Sequence, residues 1–420
     1  GDVPGMSDSG PFTARATGTL MPEFTGVHTL AMAQVGRARV LLDGRQVLDG
    51  MTDPPGQGEA FFGLGSEEIA AEIHLEAGEP VSIVVEYSSE GAFMFRGAQV
   101  GLRPPDDGDL IERAEALAAA SDVVVLVVGT NDDWETEGRD RGSMDLPGDQ
   151  PELIRRVVAA NPRTVVVVNA GSVVTMDWAD EAPAVIQTWF GGQEMADALV
   201  DVLFGEAEPG GRLPTTVPRR LEDTPAFTNY PGENGEVRYG EGVFVGYRWY
   251  DARDVDPCFP FGHGLGYGTV GWGRAAVSGE PTVAELVGGA EIVVSVELTN
   301  SGDRTTTEVV QCYVSESDPA LARPPRELRG FAKVELQPGE TSVAEIRLGH
   351  RSFAYYDPGD PTWADRSARL PVAAGGGRAG PGHRPEPGWF ADPGDYEICL
   401  GASSRDIREV IPVHLGVDGE

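Results

Sequence analysis

The pattern of apolar and polar positions changes character twice along the chain. In the first hundred residues, apolar and polar residues alternate in short runs: Phe12–Leu20, Gly26–Ala33, Arg37–Leu42, Gln46–Leu48, Ala71–Leu75, Pro80–Tyr87 and Phe93–Leu102. A period of two predicts half-buried strands. Asp43-Gly44 is a two-residue hairpin signal. Glu76-Ala77-Gly78 is expected to join the runs on either side of it as a second strand pair. No helical pattern longer than two turns intervenes. Residues 1–104 therefore read as a β-sandwich or jelly-roll module.

From residue 105 to 267 the period lengthens. Asp109–Ala120 has helical spacing, and Val123–Val128 is an unbroken, β-branched apolar run. Asp149-Gln150-Pro151-Glu152 has capping-box spacing ahead of Leu153–Asn161. Thr164–Asn169 and Ala184–Phe190 read as two more buried strands, and Gln193–Phe204 as a helix stopped by Gly205. Strand and helix in alternation predict an α/β sandwich with a mostly parallel sheet, joined by right-handed crossovers. From residue 268 to 420 alternation returns in Ile292–Leu298, Thr307–Val314, Thr341–Leu348 and Asp395–Gly401, which predicts an immunoglobulin-like β-sandwich. Residues 371–388 are rich in glycine and proline and are predicted to form a mobile loop. The expected fold class is multidomain, α/β plus all-β.

In doubly wound sheets the working residues lie just past the C-terminal ends of strands. The loop from Thr130 to Gly148 follows the first buried strand and carries Glu135, Glu137, Asp140 and Asp145. It is the place to look for chemistry. The remaining composition narrows the partners. A formal net charge of −35 repels phosphate backbones, so no nucleic acid partner is expected. No apolar run is long enough for a membrane helix. Cys258, Cys312 and Cys399 are far apart and read as buried apolar residues, not as a disulfide framework. The histidines show no metal-ligand spacing, and no GxGxxG follows a strand. No metal and no organic cofactor are expected. The first residues, GDVPGMSDSG, lack the basic and apolar regions of a signal peptide, which leans the compartment toward the cytoplasm.

Several long stretches resemble glycoside hydrolase family 3, the β-glucosidase family. They are ETEGRDR (135–141), WFGGQEMADALVDVLFGEAEPGGRLPTT (189–216), YGEGVFVGYRWYD (239–251) and FPFGHGLGYG (259–268). RELRGFAKVELQPGE (326–340) and GASSRDI (401–407) are similar to that family's fibronectin type III-like domain. Residues 15–49 and GLGSEE (63–68) are similar to the sugar-binding module, named after anthrax protective antigen, that one subgroup carries as an insertion. The resemblance implies an incomplete sugar-binding module, an α/β sandwich carrying the acid/base loop, and a fibronectin type III-like domain. It also implies that the family's barrel domain, which supplies the nucleophilic aspartate, is absent here. A barrel on a larger precursor or on a companion chain is therefore an expected partner. The natural N-terminus is then expected to lie upstream, which leaves secretion open. A homo-oligomer is compatible with this reading.

The same resemblance assigns the general acid/base to Glu137, in Thr136-Glu137-Gly138-Arg139-Asp140-Arg141, with Glu135 as the rival carboxylate. It implies a retaining β-glucosidase that removes terminal β-D-glucosyl residues from β-glucosides or oligosaccharides. Arg139 stands where the family has tyrosine. Gly138 would let backbone approach the sugar, and Asp140 and Arg141 would form an ion pair that structures the loop. Trp134 would either stack on a sugar or cover the sheet end. Phe93 and Phe95 share one face of a predicted strand, which serves either as core or as substrate contact from the inserted module. His263 replaces a tyrosine and has no expected role in the mechanism. The alternative function is a non-catalytic carbohydrate-binding or scaffold chain, motivated by the missing nucleophile.

Overall fold

The computed structural model describes residues 10–58, 60–92, 94–105, 108, 110–138, 140–319, 321–357 and 387–417. The chain divides into two compact units. One is Gly1–Leu117 with Thr136–Asp140, and the other is Ala118–Glu135 with Arg141–Glu420. Most of the predicted loop 371–388 lies outside the described residues. The architecture is multidomain, an α/β layer plus all-β sandwiches.

The first unit contains β1 (Thr13–Leu20), β2 (Gly26–Val35), β3 (Arg37–Leu42), β4 (Arg45–Asp49), one turn of helix α1 (Ala60–Gly63), β5 (Ile69–Leu75), β6 (Val81–Ser88) and β7 (Gly97–Arg103). The strands form two antiparallel sheets, β1-β6-β3-β4 and β5-β2-β7. Alternate residues of β2 and β3, including Leu30, Met32, Ala38 and Val40, meet between the sheets as the core. The β3–β4 hairpin turns at Asp43 and Gly44, whose φ angles of 47° and 77° suit a two-residue turn. The predicted pairing around Glu76–Gly78 does not form. β5 pairs with β2, while β6 pairs with β1 and β3, so this turn carries the chain from one sheet to the other. Each strand finds its partners in a separate sheet. The last strand also starts later than the alternation predicts, at Gly97, because Met94 adopts a left-handed conformation with φ 61°.

Helix α2 (Leu110–Ala119) spans the division between the units. The second unit begins with β8 (Val124–Gly129), α3 (Gln150–Ala160), β9 (Thr164–Asn169), β10 (Ala184–Gln187) and α4 (Met195–Phe204). The three strands form a parallel sheet in the order β10-β9-β8. Ile154, Val157 and Val158 are the buried stripe of α3, and Ile154 and Val158 pack with Val128, Val166, Val168 and Trp178. The predicted capping box is not made: Asp149, at φ −91° and ψ 15°, gives no side-chain cap. An N-cap side chain reaches the first turn from extended backbone, which this residue does not adopt. α4 ends at Gly205 in the left-handed conformation, φ 74°.

Helix α5 (Tyr247–Arg253) leads to the C-terminal sandwich: β11 (Val270–Ser278), α6 (Val283–Val287), β12 (Ile292–Asn300), β13 (Thr306–Glu316), β14 (Glu327–Leu336), β15 (Thr341–Leu348), α7 (His350–Phe353), β16 (Tyr355–Asp357), β17 (Gly388–Phe390), β18 (Gly394–Gly401) and β19 (Ile407–Leu415). Sheets β11-β12-β15 and β14-β13-β18-β19 enclose the largest core, with Leu298, Leu336, Phe353 and Tyr396 fully buried. All three cysteines are free, and Cys312 and Cys399 are buried as expected.

β8 and β9 approach closely at the foot of the candidate loop. A Cβ on Gly129 would overlap the carbonyl oxygen of Asn169. That oxygen is backbone and cannot move aside cheaply. Gly129→Ala is therefore expected to destabilise the second unit by about 1–3 kcal/mol, the range for overpacking. A urea midpoint unchanged from the parent chain would refute this.

Candidate active site

The loop leaves the C-terminal end of β8 and is fixed at both ends. Gln150, the first residue of α3, accepts from the Gly129 amide at 2.7 Å and donates to the Gly129 carbonyl at 2.9 Å. Asn131 then closes a tight turn, its carbonyl accepting from the Trp134 and Glu135 amides at 3.0 and 2.8 Å. This turn aims Glu135 back at the strand ends. Its carboxylate accepts from the Thr130 hydroxyl, from the Gly171 amide at 3.0 Å and from the Ser172 hydroxyl at 2.9 Å. Gly171 and Ser172 follow the end of β9, the neighbouring parallel strand. Glu135 thus ties together two adjacent strand ends.

Burial pushes the Glu135 carboxyl up, but donation from Thr130 and Ser172 and the nearby Arg141 outweigh it, so its pKa lies below the ordinary glutamate value. A carboxyl held ionised in this way is unsuited to begin a reaction as a proton donor. Its role in stability has a definite sign. A lowered pKa contributes stability that is fully present above the unfolded value of 4.5 and is lost as pH falls through the folded value. The Gly171 and Ser172 amides are expected to exchange faster with solvent as pH falls below 4.5 and through the folded value, after correction for intrinsic exchange. Glu135→Gln should remove that pH dependence. Its persistence in the variant would refute the assignment.

Glu137 is two residues further along and has none of this support. It is exposed, and among the described residues it makes no hydrogen bond or ion pair. Thr136–Asp140 belongs to the first unit, whereas Glu135 and Arg141 belong to the second. The sequence groups the two glutamates in one motif, and the structure gives them different surroundings. Gly138 is exposed, and a Cβ there would meet open space. Arg141 donates to the Val173 carbonyl at 2.6 Å, which pins the far side of the loop. Arg139 lies outside the described residues.

Trp134 is half-buried and lines a cleft of about 380 Å³ with Ser143, Asp145, Leu146, Arg155 and Asp177. Asp145 accepts from the Thr175 hydroxyl and from the Ser143 hydroxyl, and Arg155 pairs with Asp177 at 2.6 Å. The Trp134 indole N–H is buried without an acceptor among the described residues.

In the first unit, Phe95 is expected within a strand but lies before the start of β7 and is 38% exposed. Its ring sits 5.9 Å from that of Phe62. Phe93 lies outside the described residues. His263 stacks on Phe259 at 5.4 Å, and burial lowers its pKa, so it is a neutral packing residue. Among the described residues, no group of three or more His, Cys, Asp or Glu could hold a metal ion. No described helix is long and apolar enough to cross a membrane. Sequence reasoning missed Thr130, Gly171 and Ser172. The signal available was their position at the C-terminal ends of neighbouring parallel strands.

Comparison with known proteins identifies the family. The chain matches the glycosyl hydrolase family 3 C-terminal domain over residues 30–267 and the fibronectin type III-like domain over residues 308–376. A β-glucosidase of Rhizobium radiobacter is 40% identical over 426 residues, an alignment covering 99% of this chain and 48% of that protein. A probable β-glucosidase I of Aspergillus clavatus is 38% identical, over 87% of this chain and 45% of that one. Among solved structures, a Kluyveromyces marxianus β-glucosidase in complex with glucose aligns with a TM-score of 0.80 at 34% identity, over 97% of this chain and 45% of that chain. The chain therefore spans about half the length of the curated relatives it matches. The domain match alone covers more than half of the residues, and on that ground the chain belongs to glycosyl hydrolase family 3.

Proposed function

We propose that this chain is the acid/base half of a retaining β-glucosidase, with Glu137 as the proton donor. The observation that carries the proposal is the contrast between the two loop glutamates. Glu135 is held ionised by its donors, and Glu137 is exposed, with its carboxyl unclaimed by any hydrogen bond among the described residues. The organisation we propose is a sugar-binding β-module over residues 1–104, an α/β sandwich over 105–267 and a fibronectin type III-like domain over 268–420. The nucleophile is an aspartate on a barrel domain outside this chain, either on the same polypeptide or on a companion.

The chemistry then runs in two displacements. The aspartate attacks the anomeric carbon while Glu137 protonates the departing glycosidic oxygen. Glu137, now a carboxylate, deprotonates a water that attacks the same carbon and releases glucose. Retention needs the two carboxyl groups about 5 Å apart. A proton donor must carry its proton when the glycosidic bond breaks. Trp134, Phe93 and Phe95 are proposed contacts on the aglycone side, with Asp140 and Arg141 structuring the loop. The substrate class is β-glucosides and short oligosaccharides, and two carboxylates suffice without a metal or cofactor.

The test is a comparison of leaving groups in an enzyme containing this chain and its nucleophile. Glu137→Gln should slow hydrolysis of cellobiose far more than that of an aryl glucoside whose phenol leaves unaided. Equal losses on both substrates would sink the assignment.

A further inference from the structure

The cleft of about 380 Å³ beside Trp134 lies wholly within the second unit. It opens between the segments that follow β8 and β9 and the first turns of α3. Its volume is in the range of small-molecule sites. Its walls are fixed by bonds of their own. The Thr175 amide donates to the Met144 carbonyl at 2.9 Å, which joins the two segments. Asp145 is held at both oxygens, by the Thr175 hydroxyl and by the Ser143 hydroxyl at 3.0 Å. Arg155, on α3, pairs with Asp177 through Nη2 at 2.6 Å and lies 3.8 Å from Glu181 through Nε. Its Nη1 has no partner among the described residues. Trp134 is half-buried with its indole nitrogen covered, so the part it shows to solvent is carbon.

These groups select a class of ligand. Two carboxylates against one guanidinium leave the lining net negative, which repels phosphates and carboxylates. Arg155 stands in the same lining against a cation. What fits is an uncharged molecule with both donors and acceptors and one apolar face. Hydroxyls can donate to Asp145 and Asp177 and accept from Arg155, and a C–H face can lie on the indole carbons. A hexopyranose ring has that constitution. We propose that this cleft is a binding site for a neutral hexopyranose, free or as one ring of an oligosaccharide. The choice of a sugar among neutral polyols rests on the β-glucosidase reading of the chain, and the binding itself does not. The ring lies on Trp134, and its hydroxyls bridge Asp145 and Arg155. For one ring in an open cleft, a dissociation constant on the order of 1 mM is expected.

The test is a magnetic-resonance titration of this chain, isotope-labelled at the tryptophan nitrogens, with glucose, cellobiose and a hexose phosphate. The Trp134 indole signal is identified by its loss in Trp134→Phe. It is expected to shift with glucose and with cellobiose and to stay in place with the hexose phosphate. Arg155→Ala should weaken cellobiose binding about tenfold or more, the usual effect of losing hydrogen bonds from a charged donor. It should leave the other indole signals in place, because the Asp177 side chain that it unpairs is 64% exposed. Phe62, in the first unit, is 79% exposed, and Phe62→Ser should leave cellobiose binding unchanged.

A Trp134 signal that stays in place at sugar concentrations about a hundredfold above the expected constant would overturn the proposal. So would a hexose phosphate that binds as well as glucose, or cellobiose binding that Arg155→Ala leaves intact. Binding that Phe62→Ser removes would also overturn it, because the sugar would then sit in the first unit. The readout is binding to this chain without a nucleophile, so it fails independently of any result on Glu137.

Discussion

In an enzyme that unites this chain with its nucleophile, Glu137→Gln is expected to lower turnover of cellobiose about 10²–10⁴-fold, the usual contribution of a positioned general acid. The amide keeps the shape of the side chain and has no acidic proton to give to a leaving sugar alkoxide. On a dinitrophenyl glucoside the first displacement needs no protonation, so the loss should be confined to the second step, where the base is also gone. Glu135→Gln is the informative control. A carboxamide cannot accept at both termini from Thr130, Gly171 and Ser172 as the carboxylate does. That variant should loosen the loop and slow all substrates by a similar, smaller factor. Reversal of the two phenotypes would make Glu135 the donor.

The largest expected loss of stability is at Asp251. Its side chain is 3% exposed on α5 and meets Arg405 at 2.7 Å and Arg326 at 3.7 Å, both from the C-terminal sandwich of the same unit. Burial pushes the Asp251 carboxyl up and the two guanidinium groups pull it down, with burial the larger influence. Breaking a buried pair costs about 3–5 kcal/mol when the partner is left unpaired. Here Arg405 keeps its bonds to the Tyr250 and Val255 carbonyls, and both arginines are 29% exposed. Asp251→Ala should therefore lie near the low end, about 3 kcal/mol. By contrast, Arg155→Ala removes a pair in which Asp177 is 64% exposed and should cost well under 1 kcal/mol. Equal shifts in denaturation midpoint for the two variants would refute the ranking.

Strand and helix periods located the three kinds of layer. Thr164–Asn169 is β9 to the residue, and Asp43-Gly44 is the hairpin turn. What alternation could not reveal was which strands are neighbours. β5 and β6 are adjacent in sequence and lie in different sheets, because pairing depends on long-range partners such as β1 and β2. The strands β11, β14 and β19 went unlisted, since glycines and charges interrupt their apolar positions. At the site, the motif ETEGRDR contains two glutamates that look alike as letters. Only folding brings Ser172, 37 positions away, onto Glu135 and separates a clamped carboxylate from a free one. Asp149 had the spacing of a cap and lacked the backbone for one, while Thr282 and Glu285 form the real capping box.

Chemical rescue tests most directly whether Glu137 donates the proton. Glu137→Ala is assayed in the assembled enzyme on an activated aryl glucoside with and without azide. Azide needs no general base to attack the glycosyl-aspartate, displacing the carboxylate from the anomeric carbon. Turnover is expected to be faster with azide, with a β-glucosyl azide product. A variant that stays active on cellobiose, or a rate that azide leaves unchanged with no glucosyl azide formed, would contradict the assignment.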